Sequence, residues 1–270
     1  MKTNTDKNMK TNIDKNIKKN KKANKDQNFI KAFAIMFVIT VICMLEYFVK
    51  ANFQAEHVSG YAFWKYVKTS MLGEIAMMMS VFIVATGCVY KFSKQIKSGF
   101  FKNLITREKY KKFLVSSLAN VYLKAVIILP AMSVIAFVIG ILMYGTNIDV
   151  NSNGSYLTSF YQAGMNNPLL YVVLATVLLA MFSIVISNLA LIIDKKIRHF
   201  SVTLILTFLA FNVLSYPTMF LFKVNLFYAY QPPANGLTAT YIIYSILTII
   251  TTLITYLMYK NKEKLVLENG

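Results

Sequence analysis

Six stretches of this sequence run for about twenty residues with almost no charge, and that feature narrows the folds open to the chain more than any other. They cover residues 29–49, 71–90, 125–144, 169–193, 200–222 and 241–259. The hydrocarbon core of a bilayer is about 30 Å thick, so a helix rising 1.5 Å per residue needs roughly 20 residues to cross it. A helix also satisfies its own backbone groups where no water can reach them. An outer-membrane barrel would alternate polar and apolar side chains along each strand, whereas these runs are apolar throughout. The expected fold is all-α: a polytopic integral membrane protein with six transmembrane helices. A chain that is 56% hydrophobic and 15% charged departs from the roughly 25% charge of soluble domains.

The charges that remain lie between the apolar runs. A net charge of +18 in a soluble chain would point to nucleic acid, but here placement decides. Of the 29 Lys and Arg, 23 fall in the tail 1–28, in the loop 91–112, in 194–199 and in 260–270; four fall in the connections on the other side. Cytoplasmic loops carry the excess of Lys and Arg, so both termini are expected in the cytoplasm, as an even number of spans requires. The partner implied is the lipid bilayer rather than nucleic acid. Three regions follow: a basic cytoplasmic tail, 1–28; a six-helix transmembrane domain, 29–260; and a short cytoplasmic tail, 261–270. The tail repeats itself, MKTNTDKN at 1–8 and MKTNIDKN at 9–16, which makes Met9 a second candidate start. With few apolar residues it buries too little surface to offset the entropy of ordering. The first apolar run ends in Leu45, Glu46, Tyr47, Phe48 and Val49 rather than in a small-residue cleavage site, so it is read as a retained span.

The loop 91–112 reads KFSKQIKSGFFKNLITREKYKK. After Gly99 a helical spacing puts Phe101, Leu104 and Ile105 on one face and Lys102, Asn103 and Arg107 elsewhere, the pattern of a short amphipathic helix. Ser116, Asn120 and Lys124 continue at four-residue spacing into the third span. Lys124 has two readings. If the helix enters the hydrocarbon at Phe113, Lys124 lies about 16 Å deep and needs a partner; if the core begins at Ala125, Lys124 snorkels to the interface. Residues 125–144 already suffice to span, which favours snorkelling.

Catalytic chemistry is missing. No Gly-Lys pair occurs, so the chain lacks the phosphate-binding loop of a self-powered pump. His57 and His199 sit on opposite sides and cannot share a metal, and no G-x-S-x-G sequence presents a serine nucleophile. No enzyme, metal or cofactor is expected. Cys43 and Cys88 read as packing residues. Glu46 and Glu74 lie near the outer ends of their spans, as interfacial carboxylates or, with Lys124, as lining of a substrate path. Pro130 reads as a kink, and Ser183, Ser187 and Asn188 as small or polar contact points between helices. Tyr61, Phe63, Trp64 and Tyr66 read as an interfacial aromatic belt, with room for an interfacial helix.

The basic tail, six spans and long basic loop after the second span resemble the permease subunits of type-2 ABC exporters. That family includes bacteriocin-immunity and drug-efflux permeases of low-GC Gram-positive bacteria. Its members often carry a Gly, then a basic residue and Asn, then an Arg as the chain leaves the second span; the matching positions are Gly99, Lys102, Asn103 and Arg107. The resemblance implies that this segment is a coupling helix docking on a separate ATP-binding subunit. It further implies a second permease copy or relative as partner, a bacterial cytoplasmic membrane, and a broken hairpin after Pro217, through Gln231-Pro232-Pro233. The family's elbow before the first span is poorly marked here. The function implied is ATP-driven export of an amphipathic peptide, drug or lipid. Two alternatives stay open: a non-transporting immunity or sensor-partner protein, and a secondary transporter.

Overall fold

A computed structural model describes residues 26–51, 59–97, 110–146, 168–197, 199–228 and 237–260. Among these the structure is helical, with no strand. The seven helices are α1 (Gln27–Ala51), α2 (Gly60–Thr69), α3 (Met71–Lys97), α4 (Tyr110–Tyr144), α5 (Pro168–Asp194), α6 (Phe200–Phe222) and α7 (Leu237–Lys260), with a 3₁₀ turn at Leu226–Tyr228. Six of them, all but α2, are long and apolar enough to cross a membrane. The chain is a multi-pass membrane protein.

The two central helices are α3 and α5. The first packs on α1, α2, α4, α5 and α6, and the second on α3, α4, α6 and α7. Half of the apolar window of α3 and of α5 is buried, against 17% in α6 and in α7. The outer faces of α6 and α7 accordingly present Leu209, Val213, Ile249 and Leu253 outward, as lipid-facing helices do, since lipid tails are as apolar as leucine.

Polar groups tie the interior together. Asn188 on α5 is fully buried. Its amide donates to Thr251 Oγ1 at 3.1 Å and Thr252 Oγ1 at 2.9 Å on α7, and its carbonyl accepts from the Tyr122 hydroxyl on α4 at 2.8 Å. Ser183 and Ser187, also fully buried, donate back to carbonyls of their own helix, which leaves a flat, small surface for neighbours. Gly87 marks the crossing of α1 and α3: a Cβ there would lie 2.7 Å from the Cβ of Ala32. Pro130 sits inside α4, which stays helical from Tyr110 to Tyr144.

One end of the bundle is cationic. There the last residue of α3, Lys97, meets the last residue of α5, Asp194, at 2.7 Å, and Thr203 of α6 donates to the same carboxylate oxygen at 3.3 Å. Lys195 reaches the carbonyl of Met258 on α7 at 2.8 Å. After α6 the chain doubles back: Lys223 takes a left-handed conformation, φ 56°, and the Leu226 N–H donates to Ser215 Oγ at 3.2 Å. The Tyr244 hydroxyl then donates to the Leu226 carbonyl. This fold-back begins where a broken hairpin was expected, although Pro217 itself lies within continuous helix; Gln231, Pro232 and Pro233 lie outside the described residues. The tails 1–25 and 261–270 do so as well.

Candidate functional site: a lysine inside the helix bundle

The short helix α2 is where structure and sequence expectation differ most. Its start is fixed by Ser59, whose hydroxyl accepts the Ala62 N–H at 3.2 Å, a serine N-cap. Ser70 serves both ends of the corner that follows. Its N–H donates to the Tyr66 carbonyl at 2.9 Å, closing α2, and its hydroxyl accepts the Gly73 N–H at 3.1 Å, opening α3. Two glycine contacts let α2 lie this deep. A Cβ on Gly60 would sit 2.7 Å from the backbone of Gly140, and one on Gly73 would sit 2.5 Å from the Val67 carbonyl. The Gly60 N–H also donates to the Gly145 carbonyl at 3.1 Å.

The aromatic side chains of α2 therefore point into the bundle. Phe63 and Trp64 are 0% and 1% exposed, and Phe63 meets Tyr47 edge-on at 4.9 Å between ring centroids. The expected interfacial belt is a core element instead. A helix does form there, and Gly60 and Gly140 allow it to press on α4.

Inside, the indole N–H of Trp64 is shared between the Ser133 carbonyl at 3.1 Å and the Ser133 hydroxyl at 3.2 Å. One turn later, Lys68 Nζ lies 2.5 Å from Ser133 Oγ and 3.8 Å from the centre of the Trp64 ring. The hydrogen-bond order follows from counting protons. Thr176 donates to the Val172 carbonyl at 2.8 Å, so in its 3.2 Å contact with Ser133 Oγ it must accept. Ser133 thus uses its only proton on Thr176 and both lone pairs on Lys68 and Trp64. An ammonium has three donors; Ser133 takes one and the Trp64 face, by cation–π attraction, a second.

Along α4, Ser133 lies eleven residues, about 16 Å, from the Tyr144 end, and it is 3% exposed. Among the described residues no carboxylate reaches salt-bridge distance of Lys68. Lys68 lines a cavity of about 60 Å³ whose wall includes Met36 and Cys43 of α1, Met77 of α3, and Leu129 and Met132 of α4. Such a volume holds a few waters or a small polar group. Thr40, also on the wall, engages its hydroxyl proton with the Met36 carbonyl at 2.8 Å.

The residues expected to carry function fall elsewhere. Gly99, Lys102, Asn103 and Arg107 lie outside the described residues. Glu74 sits in the first turn of α3, half-buried, where a carboxylate complements the helix dipole. Glu46 is half-buried on α1. Neither lines the cavity, and nor does Lys124. Lys124 is 7% exposed and pairs with the Asp26 carboxylate ahead of α1. Helix α4 runs unbroken from Tyr110, so Lys124 belongs to its interior, and a buried ammonium needs a counter-charge. Lys68 was missed because it counted only as one cation in a connection. The available signal was Trp64 and Lys68 at four-residue spacing, which stacks them on one helical face. Searches of family models, curated proteins and solved structures return no match to this chain.

Proposed function

We propose that this chain is the membrane-spanning permease subunit of an exporter that moves an amphipathic substrate, with energy from a separate ATP-hydrolysing subunit. In this reading it sits in a bacterial cytoplasmic membrane with both termini inside, beside a second permease copy or relative. The observation that carries the proposal is the cationic end of the bundle. Helix α4 has 35 residues, about 52 Å, well beyond the roughly 30 Å of hydrocarbon. Its first turn, with Lys111 and Lys112, and the last turn of α3, with Lys94 and Lys97, flank the segment 98–109. That segment holds Gly99, Lys102, Asn103 and Arg107, the proposed coupling residues.

A force applied there has a path inward. Lys97 binds Asp194, which also holds Thr203, so displacement at the end of α3 is felt by α5, which packs on four other helices, and by α6. Gradient-driven transport fits less well: its ion sites usually centre on intramembrane acids, whereas the charge lining the cavity here is a lysine.

Co-purification in mild detergent tests the assignment. The expected result is a bound subunit with measurable ATP hydrolysis, lost in the double variant Lys102→Glu/Arg107→Glu while membrane insertion is kept. No bound ATPase, under conditions in which a known permease retains its own, overturns it and leaves a non-transporting immunity or sensor-partner protein as the reading.

A further inference from the structure

The cavity beside α2 is lined by a lysine, Lys68, that has no carboxylate within salt-bridge distance among the described residues. Its wall is otherwise alkyl and thioether surface with the Cys43 thiol, and its two hydroxyl groups, Thr40 and Ser133, have their protons engaged within the protein. Lys68 alone offers a free N–H to the space, beyond the one bound by Ser133 at 2.5 Å and the one facing Trp64. A strongly hydrated anion such as inorganic phosphate would shed its water here and find one donor group in return. An anion joined to an alkyl chain has no such mismatch: its charge meets Lys68, and its carbons meet Met36, Met77, Leu129 and Met132.

We infer that this cavity is a binding site for the head of a singly charged anionic amphiphile, with the Lys68 ammonium as charge partner and the methionine wall against the first carbons of its chain. Three unbranched thioether side chains, Met36, Met77 and Met132, adapt their shape to an occupant, which suits a family of chain structures. The inference gives the substrate of the proposed exporter a charge and rests on that reading for its physiological role. Binding is measured on the chain alone, so its failure is distinct from the failure of an ATPase to associate.

Trp64 is the only tryptophan of the chain, and its ring lies 3.8 Å from the Nζ of Lys68, which lines the cavity. With the full chain in nanodiscs of zwitterionic lipid, 2-bromododecanoate carries its quenching atom next to the carboxylate. Emission is expected to fall at least about twofold and to saturate, as the bromine settles beside Lys68, whose Nζ faces the indole. Losing one charge-assisted hydrogen bond predicts about tenfold weaker apparent affinity in Lys68→Gln, with Lys68→Arg within about threefold of the native chain. Acetate, inorganic phosphate and a dodecyl chain bearing a quaternary ammonium are expected to leave the bromide titration unchanged. Equal quenching in Lys68→Gln overturns the inference, because it reports partition into lipid only. Displacement by acetate or phosphate overturns it in favour of a free-anion site.

If Lys68→Gln does not fold, the native lysine is kept and Cys43 on the same wall becomes the reporter in a Cys88→Ser background. Dodecanoate is expected to slow alkylation of Cys43 by a small thiol reagent at least about fivefold, and dodecyltrimethylammonium to leave it unchanged. Equal protection by both overturns the inference.

Discussion

Breaking the Lys124–Asp26 pair tests whether α4 tolerates an interior charge only because α1 supplies its counter-charge. The two side chains are 9% and 12% exposed, and Lys124 is flanked on its own helix by Val121 and Ala125, which are 2% and 0% exposed. Removing one partner from a buried pair costs about 3–5 kcal/mol, because the remaining charge is left uncompensated. The two single variants should differ in a way the geometry dictates. Asp26 has a second role: its Oδ1 accepts the Phe29 N–H at 3.3 Å, capping α1. In Asp26→Asn the amide oxygen keeps that cap while Lys124 loses its counter-charge, so nearly the full penalty is expected, about 4–5 kcal/mol. In Lys124→Met the side-chain volume is kept, and the orphaned carboxylate faces the positive end of the α1 dipole. That dipole offsets about 0.3–1 kcal/mol, giving a loss nearer 3 kcal/mol.

The double variant Asp26→Asn/Lys124→Met leaves no charge to desolvate, and its stability should return to within about 2 kcal/mol of the native chain. The coupling energy of the cycle is then about 5 kcal/mol or more, above the usual range for contacting residues. Reversible unfolding in mixed micelles, followed by helix content, measures all four proteins on one scale. Single losses that add in the double variant to within about 0.5 kcal/mol would refute the argument, since Lys124 would then be solvated independently of Asp26. Asp26→Ala is the wrong probe, because it removes the cap as well, worth about 1 kcal/mol by itself.

Asn188→Leu removes three interhelical hydrogen bonds, to Tyr122, Thr251 and Thr252; at about 0.6 kcal/mol each inside a membrane the loss should be roughly 2 kcal/mol, with Tyr122→Phe near a third of it. The same unfolding assay reads both, and a neutral Asn188→Leu would mean that the network does not hold α4, α5 and α7 together. Gly140→Ala places a Cβ 2.8 Å from the Gly60 carbonyl and from Phe63, an overpacking of about 1–3 kcal/mol that should push α2 off α4. A red shift of Trp64 emission as its contact with Ser133 opens is the expected readout, and unchanged emission would show that α2 is held by other contacts.

The spans were legible in the sequence because lipid imposes the constraint residue by residue. The run 200–222 coincides with α6, and 169–193 falls one residue short of α5 at each end. The third span was read from Ala125, yet α4 starts at Tyr110. Treating Lys124 as a boundary hid Leu114, Leu118 and Val121, which are buried at helical spacing and continue the same face. That face was visible in the sequence; the partner of Lys124 was not, because nothing local ties residue 124 to residue 26. The segment 98–109, proposed to couple to an ATPase, lies outside the described residues.

Helix α2 shows why a scan for spans misses a site. Ten residues are too few to cross a bilayer, so Tyr, Trp and Lys at 61–68 take on the meaning such residues have at an interface. Their depth is decided by Gly60 against Gly140 and by Ser133 on a helix far along the chain. Placing α2 inside also changes the charge argument. Lys65 is 7% exposed and Lys68 reaches Ser133, so neither is a loop cation of the kind that the topology rule counts. Of the four Lys and Arg on the less basic side only Lys50 and Lys223 then remain, against 23 on the other. The charge asymmetry between the two sides is steeper once the buried lysines are assigned to the bundle.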